Sequence, residues 1–121
     1  MNINIKGTHI ELTPAITNYV HDKLDSLKKV LSDVDGAFIS VEVGKDSQHH
    51  NKGDIFKAEV RVNARGKDYH TVITKDDLYA AIDEMRDEIM EKVKSEKDKA
   101  NSLYKRGARQ VKNFIKGIWK K

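Results

Sequence analysis

The chain contains no cysteine, one proline and only 7% aromatic residues over its 121 positions. Without cysteine it has neither a disulfide framework nor thiolate chemistry, which accords with a reducing compartment. No apolar run approaches the roughly 18 residues of a membrane span, and Met1-Asn2-Ile3-Asn4-Ile5-Lys6 lacks the apolar stretch of a signal peptide. A soluble, cytoplasmic protein is expected. Nucleophile elbow, phosphate loop and dinucleotide fingerprint are all missing, so no enzyme activity and no cofactor are expected. His49 and His50 are adjacent, with Asp46 and Asp54 nearby, but neighbouring side chains diverge and neither a cysteine nor an i,i+4 histidine pair completes a ligand set. Asp33-Val34-Asp35-Gly36 lacks the downstream ligands of a calcium loop and reads as a turn. No metal is expected.

The last absence is regional. Asn101 to Lys121 contains no acid, yet it holds seven cations: Lys105, Arg106, Arg109, Lys112, Lys116, Lys120 and Lys121. The preceding hundred residues carry 16 Lys and Arg against 19 Asp and Glu, so the overall charge of +4 is a property of the tail. A field concentrated at one end attracts polyanions, of which nucleic acid is the commonest, and that attraction weakens with salt.

What is present reads as one domain of residues 1–100 followed by a tail of residues 101–121. Ile3 and Ile5 alternate with polar residues in a short first strand ended by Gly7. Thr13-Pro14 opens a helix, with a hydroxyl to cap free amides and a proline where no amide hydrogen bond is lost. Ile16, Val20, Leu24, Leu27 and Leu31 form its apolar stripe, which stops in the turn-rich residues 32–36. The period then becomes two: Ile39, Val41 and Val43 face one way in a second strand, and Phe56, Ala58, Val60 and Val62 in a third. Between them, residues 44–53 read as a polar loop. Ala64-Arg65-Gly66-Lys67 reads as a hairpin loop leading to a fourth strand over Tyr69 to Thr74. A long helix follows, capped by Thr74 or Asp76, its stripe of Leu78, Ile82, Met85, Ile89 and Val93 running to about Lys99. The fold class is α+β in the order β-α-β-β-β-α, with two helices on one face of a four-stranded sheet. The first two strands should be parallel neighbours and the last three an antiparallel meander.

Glu11-Leu12-Thr13-Pro14-Ala15-Ile16, Tyr19-Val20, Lys23-Leu24, Lys57-Ala58-Glu59-Val60 and Asp76-Asp77-Leu78-Tyr79-Ala80-Ala81-Ile82-Asp83 follow one another in the order of a known family. The chain resembles the ribosome hibernation-promoting factors and the related ribosome-associated inhibitor, in their short form. The resemblance implies a non-enzymatic protein that occupies the decoding region of the small ribosomal subunit, where messenger and transfer RNA would otherwise lie. It also implies that Lys and Arg of the two helices meet ribosomal RNA, with ribosomal proteins as further contacts. Among the family's basic positions, Lys23, Lys29, Lys97 and Lys99 match, and Lys94, Lys28, Arg86 and Lys92 complete the candidate RNA-binding set on the helices. Thr17 and Ser26 stand where a basic residue is common, Glu84, Glu88 and Glu91 where Lys or Arg is usual, and Ser95 replaces a frequent Lys. With Asp87 and Asp98, those three glutamates give the second helix an acidic ridge opposite its core stripe.

The tail supplies the remaining candidates: Lys105, Arg106, Arg109, Lys112 and Lys116. Tyr104, Ala108, Val111, Ile115 and Ile118 would share one face of a basic amphipathic helix there, with Phe114 and Trp119 beside them. RNA or a ribosomal protein is the expected partner. Packing on the acidic ridge and a membrane surface fit the same pattern. Two other functions stay open: a small protein-binding adaptor that docks through the tail, and a general binder of double-stranded RNA. Tyr79 is expected at the core boundary, and Lys57 and Arg61 on the solvated sheet face.

Overall fold

A computed structural model describes residues 2–46 and 53–96. Strand β1 spans Asn2–Thr8, helix α1 Pro14–Val30, β2 Phe38–Asp46, β3 Ile55–Ala64 and β4 Lys67–Lys75. A second helix, α2, covers residues 78–96. The strand order is β1-β2-β3-β4, with β1 parallel to β2 and the other neighbours antiparallel. The element order, the sheet topology and the placement of both helices on one face agree with the expectation.

The period-two pattern decides which face of the sheet is covered. Ile39, Val41, Val43, Ala58, Val60, Val62 and Ala64 are buried on the helix side, together with Val20, Leu24, Leu27 and Leu31 from α1 and Leu78, Ala81, Ile82, Met85 and Ile89 from α2. Burying each valine, leucine, isoleucine or methionine among them contributes about 1.5–3 kcal/mol relative to leaving it exposed. Thr13 caps α1 as its sequence requires: its hydroxyl accepts from the Ile16 amide at 3.2 Å, and Pro14 follows.

Four local expectations need correction. The first strand does not end at Gly7 but pairs on to Thr8, opposite Gly44. Nor does residue 44 open a loop, since β2 continues to Asp46 against Ile55 of β3. The reason is close approach: a Cβ on Gly44 would lie 2.6 Å from the Thr8 carbonyl oxygen, so the absent side chain is what lets the parallel pair extend. Strand β4 exceeds Tyr69–Thr74 at both ends, because Arg65 and Gly66, with φ of 57° and 74°, form a two-residue turn that starts pairing at once, Ala64 opposite Lys67. Finally, the cap of α2 is neither Thr74 nor Asp76. Thr74 is still in β4, and Asp77 accepts from the Ala80 amide through its side chain at 3.1 Å and from the Ala81 amide through its carbonyl at 3.0 Å.

By internal packing the chain divides into Met1–Glu91 and Lys92–Lys121. The expected tail helix lies outside the described residues, as do residues 47–52 of the expected loop.

Candidate nucleic-acid interface

Helix α1 turns Val20, Leu24 and Leu27 inward, which places Lys23 at the margin of that buried face and Lys28 and Lys29 in the last turn. Cations are favoured in that turn, because the unsatisfied carbonyls of a helix C-terminus carry partial negative charge. Tyr19, one turn before Lys23, meets Tyr79 of α2 edge to face, with centroids 4.8 Å apart at 88°. Lys23 reaches Asp83, one turn beyond Tyr79, at 3.1 Å. Advancing four residues on one helix advances four on the other, so α1 and α2 run in the same direction.

A polar network forms where they touch. The Tyr19 hydroxyl donates to Asp83 Oδ1 at 2.5 Å, and the Lys23 ammonium bonds the same oxygen while lying 5.4 Å from the Tyr19 ring centroid. Donating to a carboxylate, and to a smaller extent burial, pushes the Tyr19 phenol up to about 12. The same hydrogen bond holds Asp83 below the ordinary carboxylate range, with Lys23 and Arg86 adding to the effect. The structure thus brings Lys23 and Arg86, two of the expected RNA contacts, around one anion.

The other candidates differ in how far their charge is engaged. Lys28 sits 3.6 Å from Asp25 one turn back, and Arg86 bonds Asp87 at 2.7 Å. Lys29 and Lys94 are exposed, and among the described residues no acid pairs with either. Lys92 is exposed on α2. Lys97, Lys99, Lys105, Arg106, Arg109, Lys112 and Lys116 lie outside the described residues. The acidic ridge is itself partly neutralised: besides the Asp87 contact to Arg86, Glu84 meets Lys75 at 2.8 Å, and this raises the Lys75 pKa. Tyr79 is 39% exposed, so it lies further out than the expected core boundary. Tyr19 and Asp83 are not among the residues that the sequence nominates for the site, although both belong to the family-like segments. Only the fold shows that residues 64 apart share a proton.

The sheet face opposite the helices is a second charged surface. Glu42 and Glu59 oppose each other across β2 and β3, an unfavourable placement for like charges unless compensated. Compensation is present: Thr8 donates to Glu42 at 2.7 Å, Lys57 approaches the same oxygen at 3.7 Å, and His70 bonds Glu59 at 2.5 Å. The Thr8 hydrogen bond is the chief reason why the Glu42 pKa is lowered, against a smaller opposing effect of burial. Arg61 is exposed on this face. Among the described residues no cluster of three or more His, Asp or Glu side chains could hold a metal, and no helix is long and apolar enough to cross a membrane.

This fold and this arrangement of helices recur in known proteins. The N-terminal domain of Protein Y from Thermus thermophilus superposes with a TM-score of 0.67 at 30% identity, covering 78% of this chain and 98% of that domain. A ribosomal subunit interface protein from Coxiella burnetii shares the fold with a TM-score of 0.68 at 15% identity, over 81% of this chain and 99% of that one. The ribosome hibernation promoting factor of Klebsiella oxytoca is 31% identical over 99 residues, 82% of this chain and 96% of that protein. The ribosome hibernation promotion factor of Staphylococcus aureus is 28% identical over 101 residues, 84% of this chain but half of that longer protein. Residues 3–101 match the model of one family from end to end of the described fold, and the chain belongs to that family, the sigma 54 modulation protein / S30EA ribosomal proteins.

Proposed function

We propose that this protein is a ribosome-binding translation inhibitor. It occupies the decoding region of the small ribosomal subunit, excludes messenger and transfer RNA by occupancy, and so promotes or maintains ribosome hibernation. The observation that carries this reading is the family match over residues 3–101, which includes relatives named for ribosome hibernation. The mechanism requires no chemistry and no cofactor. It requires a rigid domain of suitable shape and phosphate contacts that position it, and α1 and α2, locked side by side through Tyr19 and Asp83, supply a firm base for both. Residues 1–100 form the RNA-binding domain in this reading, and residues 101–121 form an appended cationic segment that contributes attraction to ribosomal RNA. The working compartment is the cytoplasm.

The test is direct. Small ribosomal subunits incubated with the protein should retain it on sedimentation and lose affinity for messenger RNA and initiator transfer RNA in proportion to occupancy. Retention without competition would remove the decoding region from the proposal, and no retention would remove the ribosome.

One observation favours a second reading, a protein-binding adaptor without RNA affinity in the body. Through Ala100 acids outnumber cations, and several helix cations already hold carboxylates. Salt separates the two readings: an RNA complex weakens steeply between low and moderate salt, whereas a hydrophobic helix-in-groove complex does not.

A further inference from the structure

Lys23 is held differently from the other helix cations. Lys28 pairs within α1 and Arg86 with its own chain neighbour, but Lys23 crosses to the other helix, and its acceptor has additional support. We propose that Asp83 is an intramolecular competitor for Lys23, occupying its ammonium in the free protein and releasing it to a phosphate oxygen of bound RNA. The proposal rests on the RNA-binding reading above and adds a residue that sets the strength of one contact.

Three features of the geometry carry it. First, the pair is accessible, with side chains 30% and 43% exposed, so a phosphate oxygen can reach Lys23 without opening the core. Second, the exchange leaves no orphan. When Lys23 departs, Asp83 still accepts from the Tyr19 hydroxyl and still lies in the field of Arg86, so it avoids the penalty of an anion stripped of partners. Third, the hydrogen bond from Tyr19 keeps Asp83 anionic, so the competitor is present at every pH at which ribosomes function. An exposed pair of this kind is weak, whereas a phosphate contact also releases a condensed counterion, so RNA wins the exchange at low salt. The carboxylate therefore reduces the contact without abolishing it.

The experiment measures binding of the full-length protein to isolated small ribosomal subunits across a salt series. Asp83→Asn should tighten binding at low salt by up to about fivefold, the ceiling for an exposed ion pair. It should also steepen the log–log salt dependence by a fraction of the roughly 0.7–0.9 that one whole phosphate contact adds. Asp22→Asn removes the same charge from an exposed position beside Lys23, where no ion pair forms among the described residues, and should do less. In a Lys23→Gln background, Asp83→Asn should have no remaining effect beyond that of Asp22→Asn. Tyr19→Phe keeps the ring but deprives Asp83 of its second partner, so Lys23 leaves less readily and binding should weaken, opposite in sign to Asp83→Asn. Should Asp83→Asn impair folding, the Tyr19→Phe result decides.

A gain from Asp83→Asn that persists undiminished without Lys23 would reduce the effect to general charge and overturn the proposal. So would unchanged or weakened binding by a folded Asp83→Asn protein while Lys29→Glu still weakens it, a result that leaves the RNA reading intact. If neither Lys23→Gln nor Lys29→Glu affects binding, the helices are not the RNA-binding face and the competitor role fails with them.

Discussion

The hundred residues up to Ala100 and the twenty-one after it handle positive charge in opposite ways. In the first, many of the described cations are locally matched: Lys23, Lys28, Lys45, Lys57, Arg65, Lys75 and Arg86 each lie within 4 Å of a carboxylate. In the second, the sequence itself holds seven cations and no acid. A matched charge stiffens a surface but contributes little to the field beyond it, whereas an unmatched series projects its field over about a Debye length. On the proposed function, orientation and attraction are separable, the first assigned to the packed helices and the second to the tail.

The most severe way to break that division is to remove the tail. Truncation after Lys99 should flatten the salt dependence of subunit binding by about five to six in log–log slope if each of the seven cations meets a phosphate, and lower affinity by orders of magnitude at low salt. Thermal unfolding of the remaining domain should be little changed. An unaltered salt slope would return the attraction to the helices. Gly44→Ala attacks the scaffold without touching charge. Its Cβ meets the Thr8 carbonyl at 2.6 Å, so urea unfolding should show a loss of about 2 kcal/mol, while the salt slope of the folded fraction stays the same.

Charge reversal within the body sharpens the contrast between matched and unmatched cations. Lys29→Glu with Lys94→Glu should weaken binding by about tenfold at moderate salt, more than Lys28→Glu alone, because Lys28 is already opposed by Asp25. Equal losses would mean that local pairing does not govern the interface. The smallest effects concern pH. The Tyr19 pKa is raised from 10.0 to about 12, so its proton is held more tightly in the folded state. This stabilisation is full below pH 10 and is lost as pH rises toward 12, and Tyr19→Phe should lessen the alkaline decline in melting temperature. Glu42 and Asp83 are shifted downward, so their contribution is present above their ordinary values of 4.5 and 3.8 and is lost as pH falls through that range and below. Glu42→Gln should lessen the acid decline.

Much of the fold was legible because its signals are local. Alternation at Ile39, Val41 and Val43, three-and-four spacing at Val20, Leu24 and Leu27, and the Thr13-Pro14 start each act within a few residues. Local signals mislead where a distant partner overrides them. Gly44-Lys45-Asp46 has a loop composition, but β3 provides a pairing edge, and the missing Cβ at Gly44 admits Thr8. Thr74 can cap a helix, but here it completes a strand opposite Lys57. The candidate site was legible only as a set of basic positions. That Lys23 is held by Asp83, which Tyr19 holds in turn, depends on two helices meeting in register, and nothing in either segment specifies that contact alone.

The strand order also sets a sequence of events in time. Strands β3 and β4 close through two residues, so Ala64 and Lys67 meet after a search of nanoseconds to microseconds. Strand β1 must instead find Phe38 from Asn2 across the whole of α1, a longer loop closure whose entropy is compensated only once the helix has docked. The meander should therefore form early and β1 join last. Both β1 and β4 are edge strands, but β4 is tied to β3 by its two-residue turn, so β1 should also be the first to separate, and its amides should exchange with solvent faster than those of β2 and β3. The slow step in making this domain and the easiest step in opening it are the same strand.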